Sequence, residues 1–407
     1  MEIIADLHIH SRHSRATSKN LSIENLEKYA KIKGLNLLGT GDFQHPLWRK
    51  EIDEKLKEDE KGILRTSNGY PFIWQTEISL MYSQGGKRRA IHLLVFAPNS
   101  KVVDKITNFL SSKGRLDYDG RPIFGMSARD FVKDLKEIDD QIEISLAHCM
   151  TPWFGVFGSK AGFDSLKECF QDQVDKIYSV ESGISADPEM LGRFEEFISG
   201  KINILSFSDA HSYWPWRLGR EATIFDLPEL SYKNIITAIR TGVGLKATIE
   251  TPPEYGKYHR DGHRLCNFSC DPKKTTELGN ICPICKKQLI IGVENRVEEI
   301  AIKPRGFKPD NLKKFYTILP LHEVISLVLN SPVDSKKTWE VYNKLLEEFP
   351  NEFEILLKIP KEKLLKNVEE KIVDVILKNR DGKIKVQPGY DGEYGKVLLG
   401  EKQETLL

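Results

Sequence analysis

Apolar residues in the first part of the chain come in short runs separated by longer amphipathic stretches. The runs Ile3–Leu7, Leu35–Leu38, Phe72–Gln75, Ile91–Phe96, Ile142–Leu146, Ile177–Val180 and Ile202–Ser206 have the length and the apolar content of buried strands. Between several of them the pattern turns helical. Ser22 is placed to cap a helix running to Gly34, and Ser127 followed by Asp130 resembles a capping box. Asp187-Pro188-Glu189 sets a cap before a proline at the first helical position, with Gly200 where a stop belongs. Strand–helix alternation of this kind predicts a parallel α/β sheet or barrel over residues 1–250. The charge run from Arg49 to Lys61 predicts a solvated helical face.

The pattern then changes. Pro252-Pro253, Gly256 and Gly262 mark a linker, and a cysteine-rich module spans residues 251–295 with it. Residues 296–407 read as a mainly helical C-terminal domain, broken at Pro332, Pro350 and Pro360. Gly389 to Gly395 is turn-rich and shows no chemistry of its own, and Gln403-x-x-Leu406 has the start of a sliding-clamp-binding peptide.

Composition narrows the class. Hydrophobic residues make up 40% and charged residues 29% of 407, as in soluble globular proteins. There is no apolar run of about 18 residues to span a membrane. The N-terminus has no secretory pattern, so a cytoplasmic protein is expected. A net charge of +1 gives no global attraction to a polyanion, yet it leaves room for a basic face balanced elsewhere. Of six cysteines, Cys149 and Cys169 read as core residues. Cys266-x3-Cys270-x11-Cys282-x2-Cys285 has the clustering of a closed, structural zinc site held by four thiolates.

The ligand-type residues fall at the ends of the strand runs. His8 and His10 close the first, Asp42 follows the second, and Glu77 follows the third. His92 lies in the fourth run, His148 closes the fifth, Glu181 the sixth, and Asp209 with His211 the seventh. The C-terminal ends of barrel strands carry active sites, and mixed imidazole and carboxylate donors suit divalent transition metals. Clustered cations lower the pKa of a bound water and clamp phosphoryl oxygens, which points to phosphoester hydrolysis without a covalent intermediate.

His8-x-His10, Thr40-Gly41-Asp42, Glu77, His92, Ala147-His148 and Ser208-Asp209-Ala210-His211 together resemble the PHP (polymerase and histidinol phosphatase) superfamily. The resemblance implies a distorted seven-stranded (β/α) barrel with two or three divalent ions (zinc, manganese or magnesium). By resemblance His8, His10, Glu77 and Asp209 hold one ion, Glu77 bridges to a second held by His92 and His148, and His211 helps hold a third. Asp42 stands where the superfamily usually has a histidine, so it joins the expected metal ligands. Asp209, His211, Glu77, Asp42 and Glu181 are the residues expected to carry the chemistry. His13 and His45 are reserve ligands, and Glu181 matches a superfamily residue that can support a ligand instead of being one.

Two loops leaving ligand strands are aromatic: Trp153-Phe154 after His148, and Trp214-Pro215-Trp216 after His211. Either they pack the barrel mouth, or they wall a pocket for a base taken out of a duplex. Lys160, Arg217 and Arg220 are placed to neutralise phosphate, and the expected substrate-binding set is Trp153, Phe154, Lys160, Trp214, Trp216 and Arg217. The barrel, the Thr-Gly-Asp variant, the cysteine module and the helical tail, in that order, resemble the endonuclease Q family over nearly the whole chain. That resemblance implies a DNA repair endonuclease cutting 5′ of deaminated bases (uracil, hypoxanthine, xanthine) and abasic sites. A PHP phosphatase of small monoesters and a non-catalytic nucleic-acid-binding protein are the alternatives; neither accounts for both the ligand set and the module.

Overall fold

The computed structural model of the protein describes residues 1–398; the clamp-peptide motif lies outside them. Nine strands of residues 1–250 and one later strand follow one another across a curled thirteen-stranded sheet, whose other three strands are two-residue pairings off that path. The nine are β1 (Glu2–Asp6), β2 (Leu37–Gly39), β3 (Pro71–Gln84), β4 (Lys87–Ala97), β5 (Glu143–Leu146), β6 (Ser179–Glu181), β7 (Asn203–Leu205), β8 (Ala222–Asp226) and β9 (Leu245–Glu250). In the module, β10 (Asp261–His263) pairs with β11 (Phe268–Cys270); then β12 (Lys314–Thr317) returns to the large sheet. The order along the sheet is β7-β6-β5-β4-β3-β2-β1-β8-β9-β12. Its two halves close on each other where Ile9 and Ala210 form a parallel bridge.

All seven expected runs are strands, shifted by a residue or two, but the alternation with helices is incomplete. β3 does not stop at Gln75: it runs to Gln84 and returns directly as β4, so Ser79 faces His92 across an antiparallel pair. The three strands missed from sequence, β8, β9 and β12, extend the sheet past the expected seven; β12 places a segment of the C-terminal region beside β9. The charge run is helical only to Lys55, after which Lys57–Glu58 is extended.

Local signals account for the helix ends. Ser22 accepts from the Asn25 amide and Gly34 ends that helix at φ 98°. Ser127 and Asp187 cap in the same manner, although the Asp187 helix is only Pro188–Leu191. Ile3, Ala5, Leu37, Ile73, Leu94, Phe96, Leu205 and Phe225 meet in one apolar cluster with Ile235, Ile236 and Ile239 of the helix Tyr232–Thr241. Along β3 and β4 the same faces carry Glu77 and His92 further on, because side chains alternate with period two. The apolar plug therefore gives way to the polar centre along the same strands. No described helix is long and apolar enough to cross a membrane.

Candidate metal centre and its cavity

The expected ligands converge. One ligand atom each from His8, His10, Glu77 and Asp209 lies within 4.8 Å of the others, and the same is true of Glu77, His92 and His148. Glu77 belongs to both groups.

The far side of four of the rings is fixed. His8 Nδ1 sits 2.9 Å from Glu181 Oε2, so Nδ1 carries the proton and Nε2 offers its lone pair. That Nε2 is buried, has no hydrogen-bond partner, and lies 3.5 Å from Glu77 Oε2 and 3.4 Å from Asp209 Oδ1. A buried imidazole nitrogen aimed between two carboxylates fits a divalent cation. His10 Nδ1 is 3.2 Å from Asp42 Oδ1, while its Nε2 is 3.1 Å from Glu77 and 3.0 Å from Asp209. His148 Nδ1 is 2.9 Å from the Thr151 hydroxyl, and its Nε2 is 3.2 Å from Glu77 Oε1. His211 donates from Nδ1 to the Asp209 carbonyl at 2.9 Å, which leaves Nε2 free.

Electrostatics agree with a cation site. Burial opposes charge on the His8 ring, yet Glu181, Asp209 and Glu77 outweigh it and raise its pKa well above the usual value. Burial likewise opposes ionisation of Glu77, but Arg121, His92 and His8 hold it well below the usual carboxylate range. Burial drives His92 down to about 3, toward the neutral, ligating form.

The backbone is bent to present these groups. Asp42, His148 and Asp209 have φ of 37°, 29° and 48°, a region non-glycine residues rarely occupy outside functional sites. Gly183, at φ 67°, lies against His148, and a Cβ there would stand 2.7 Å from the histidine Cβ. Asp6, at the end of β1, holds the loop carrying Asp209 by accepting from the Ser208 and Gly219 amides at 3.0 and 2.9 Å.

Some expected residues lie elsewhere. Asp42 is in neither group; its carboxylate takes the Ser11 amide and Ser14 hydroxyl behind His10. His13 and His45 stack on each other, with ring centroids 4.4 Å apart, and join neither group. Trp153 and Phe154 line a cavity of about 460 Å³ together with His92, His148 and Asp209. Trp214 and Trp216 do not line it. They stack at 5.3 Å and pack against Trp339 of the C-terminal helices, with His322 also 5.0 Å from Trp216. Buried Lys33 pins that loop by donating to the Pro215 carbonyl and to Glu352, 2.7 Å each. Lys160 is exposed and away from the cavity, and Arg217 lies over the Tyr394 ring.

In the module, His263, Cys266, Cys282 and Cys285 form the compact group. Cys270 stands outside it, 3.2 Å from the Thr275 hydroxyl. The hairpin register explains this: Asp261 faces Cys270 at the open end, while His263 and Cys266 sit at the turn. The result is a His-x2-Cys knuckle facing the Cys-x2-Cys knuckle, a signal that was present in the sequence beside the cysteine spacing.

Sequence reasoning missed three features of the centre and its cavity. Arg121 Nη1 bonds Glu77 Oε2 at 2.8 Å. Glu221 lines the cavity fully buried, its Oε1 accepting from Thr251 N; burial, with Glu250 beside it, pushes its carboxyl well above the usual range. Tyr258 and Tyr394 complete the aromatic wall. Arg121 comes from a loop and Tyr394 from the tail, with no periodic pattern to flag either.

A curled α/β sheet with an imidazole–carboxylate cluster of this make places the chain in the class of metal-dependent hydrolases. Residues 320–383 match the family model of the MJ0043 C-terminal domain. The chain is 31% identical over 296 residues to the uncharacterized protein MJ0043 of Methanocaldococcus jannaschii, covering 70% of this chain and 35% of that one. It therefore spans about a third of that relative's length. The crystal structure of the lesion-specific endonuclease PfuEndoQ from Pyrococcus furiosus superposes with TM-score 0.87 at 31% identity, over 99% of this chain and 96% of the other. Endonuclease Q in complex with a 27-mer duplex substrate, with an abasic lesion at its active site, gives 0.88 at 32% identity, over 99% and 98%. The chain belongs to the endonuclease Q family.

Proposed function

We propose that the chain is a metal-dependent DNA repair endonuclease that hydrolyses the phosphodiester 5′ of deaminated bases and abasic sites. The observation that carries the reading is the cavity of about 460 Å³ that opens beside His92, His148 and Asp209. Its size suits an extruded nucleotide, and its walls include Trp153 and Phe154. Phe154 lies over His92 at 4.3 Å, and Trp153 meets Tyr258 edge to face.

His8, His10, Glu77 and Asp209 would hold one divalent ion, and Glu77, His92 and His148 a second; His211, with Nε2 free, would serve a third. When bound, the ions activate water and neutralise the phosphoryl oxygens. Glu181, Asp42 and Thr151 hold the imidazoles in their ligating tautomer and orientation. Arg121, its side chain 26% exposed at the edge of the centre, orients Glu77 and presents a guanidinium to developing negative charge. Trp153 and Phe154 exclude water from the extruded nucleotide. A zinc ion held by His263, Cys266, Cys282 and Cys285 fastens the module.

The test is a set of labelled duplexes carrying one uracil, hypoxanthine or abasic site, incubated with chelator or with zinc, manganese or magnesium. A single nick 5′ of the lesion that needs metal is expected. Release of phosphate from small monoesters with no nick on any duplex would overturn the reading in favour of a PHP phosphatase.

A further inference from the structure

The turn-rich tail is built into the cavity. β13 (Lys385–Gln387) and β14 (Lys396–Leu398) form a hairpin whose loop clasps the linker that follows β9. Gly389 N donates to Glu254 O at 2.8 Å, Gly392 N to Lys257 O at 2.9 Å and Gly395 N to Tyr255 O at 3.1 Å; Arg260 N returns a bond to Gly389 O at 2.9 Å. This clasp carries Tyr394 to the cavity wall, beside Arg220 and Lys257.

The surroundings of Tyr394 decide what it can bind. Lys257 Nζ lies 4.6 Å from its ring centroid, Arg217 Cζ 5.7 Å, and the Tyr255 ring 5.7 Å. Two cations and a second aromatic ring thus already crowd this ring. Arg220 lines the cavity beside it and donates from Nε to the Ser208 carbonyl at 3.1 Å, next to Asp209. Among the described residues no carboxylate comes within 4.0 Å of the cationic nitrogens of Arg217, Arg220 or Lys257. Their charge is thus available to a ligand. Burial pushes the Tyr394 phenol up, and Arg220, Arg217 and Lys257 outweigh it, holding the phenol below its ordinary value.

We propose that Arg220, Lys257 and the Tyr394 hydroxyl form an anion subsite for a phosphate of the substrate strand, adjoining the nucleotide held at the metal ligands. The C-terminal hairpin then completes the binding site. The subsite rests on the endonuclease reading, since a small monoester has no second phosphate to place there.

The test uses an abasic-site duplex and the full chain, with binding measured in an Asp209→Asn background across salt concentrations. Lys257 is exposed, so Lys257→Ala is expected to fold normally, with an unchanged melting temperature. It should weaken binding about tenfold and lower the slope of log affinity against log salt by about one. Tyr394→Phe keeps the ring and should cost about threefold. A series of duplexes with single neutral methylphosphonates near the lesion should contain one position that costs as much as Lys257→Ala and adds nothing to it. An unchanged salt slope, or methylphosphonate losses that all add to the lysine loss, overturns the subsite. Nicking by the unaltered enzyme is scored separately: no nick on any lesion duplex defeats the endonuclease reading, whatever the slope.

Discussion

The barrel centre and the cysteine module both gather metal-binding side chains, and they do so in opposite ways. In the barrel four imidazoles are gripped from behind: His8 by Glu181, His10 by Asp42, His148 by Thr151 and His211 by the Asp209 carbonyl. The ligands stand on a core that is complete without an ion, and His8 and Glu77 are fully buried. In the module the ligands sit on two turns at the surface. Leu265 and Ile284, between the ligands of each knuckle, are 83% and 62% exposed. With those two side chains in solvent, an ion held by the four ligands would be what fastens the turns. The contrast separates a centre whose protein positions the metal from one whose metal positions the protein.

Removing a barrel ligand should have the largest effect, and on chemistry alone. Asp209→Asn is expected to lower nicking by about a thousandfold or more, with lesion-duplex affinity and melting temperature nearly unchanged. Gel-based nicking and anisotropy on one preparation check both halves. Normal cutting by this variant removes the barrel from the active site.

The module should answer in the other sense. His263→Ala is expected to release its zinc and lower the melting temperature, because structural zinc contributes directly to folding. Cys270→Ser should retain the zinc, since that thiol bonds Thr275 and not the ligand group. Elemental analysis of the two variants decides; zinc lost from Cys270→Ser but kept by His263→Ala reverses the ligand assignment.

A smaller effect tests the grip behind the barrel ligands. Glu181→Gln keeps the shape but offers His8 Nδ1 a weaker acceptor. A loss of about ten- to a hundredfold in metal affinity or activity is expected, partly recovered by added metal. No loss at any metal concentration means the grip on His8 does not matter.

How far these features were legible in the sequence depends on whether they are local. Strand runs, caps and strand-end ligands follow from spacing, and the ligands His8, His10, Glu77, His92, His148 and Asp209 meet as the superfamily resemblance implies. Spacing alone hides hairpin register: Cys270, expected with Cys266, Cys282 and Cys285, pairs with Asp261 at the open end of the hairpin, while His263 falls beside the other three cysteines. Asp42 was expected as a ligand from its place after a strand; whether it points to a metal or to the back of His10 is set by tertiary packing. Arg121, Glu221 and Tyr394 come from distant segments, and nothing in their own neighbourhoods marks them. The long β3–β4 hairpin was hidden by its buried run, which reads the same in a parallel and an antiparallel sheet.

The two aromatic loops give the finest version of the comparison, because they look alike in sequence and differ in place. Trp153 is 39% exposed on the cavity wall, whereas Trp216 is 7% exposed between Trp214 and the C-terminal helices. Stacking a base on an aromatic is worth about 1–3 kcal/mol, so Trp153→Ala should slow nicking at uracil about tenfold. It should leave an abasic site, which has no base to stack, nearly untouched, and barely move the melting temperature. Trp216→Ala removes a buried ring at a cost of about 3–5 kcal/mol. It should lower the melting temperature clearly while reducing activity on both substrates in the same proportion. Phe154→Ala stands between them: its ring lies over His92 at 4.3 Å, so both substrates should suffer without a large loss of stability. If Trp153→Ala slows uracil and abasic duplexes equally, Trp153 does not contact the base, and the cavity selects its nucleotide by polar groups alone.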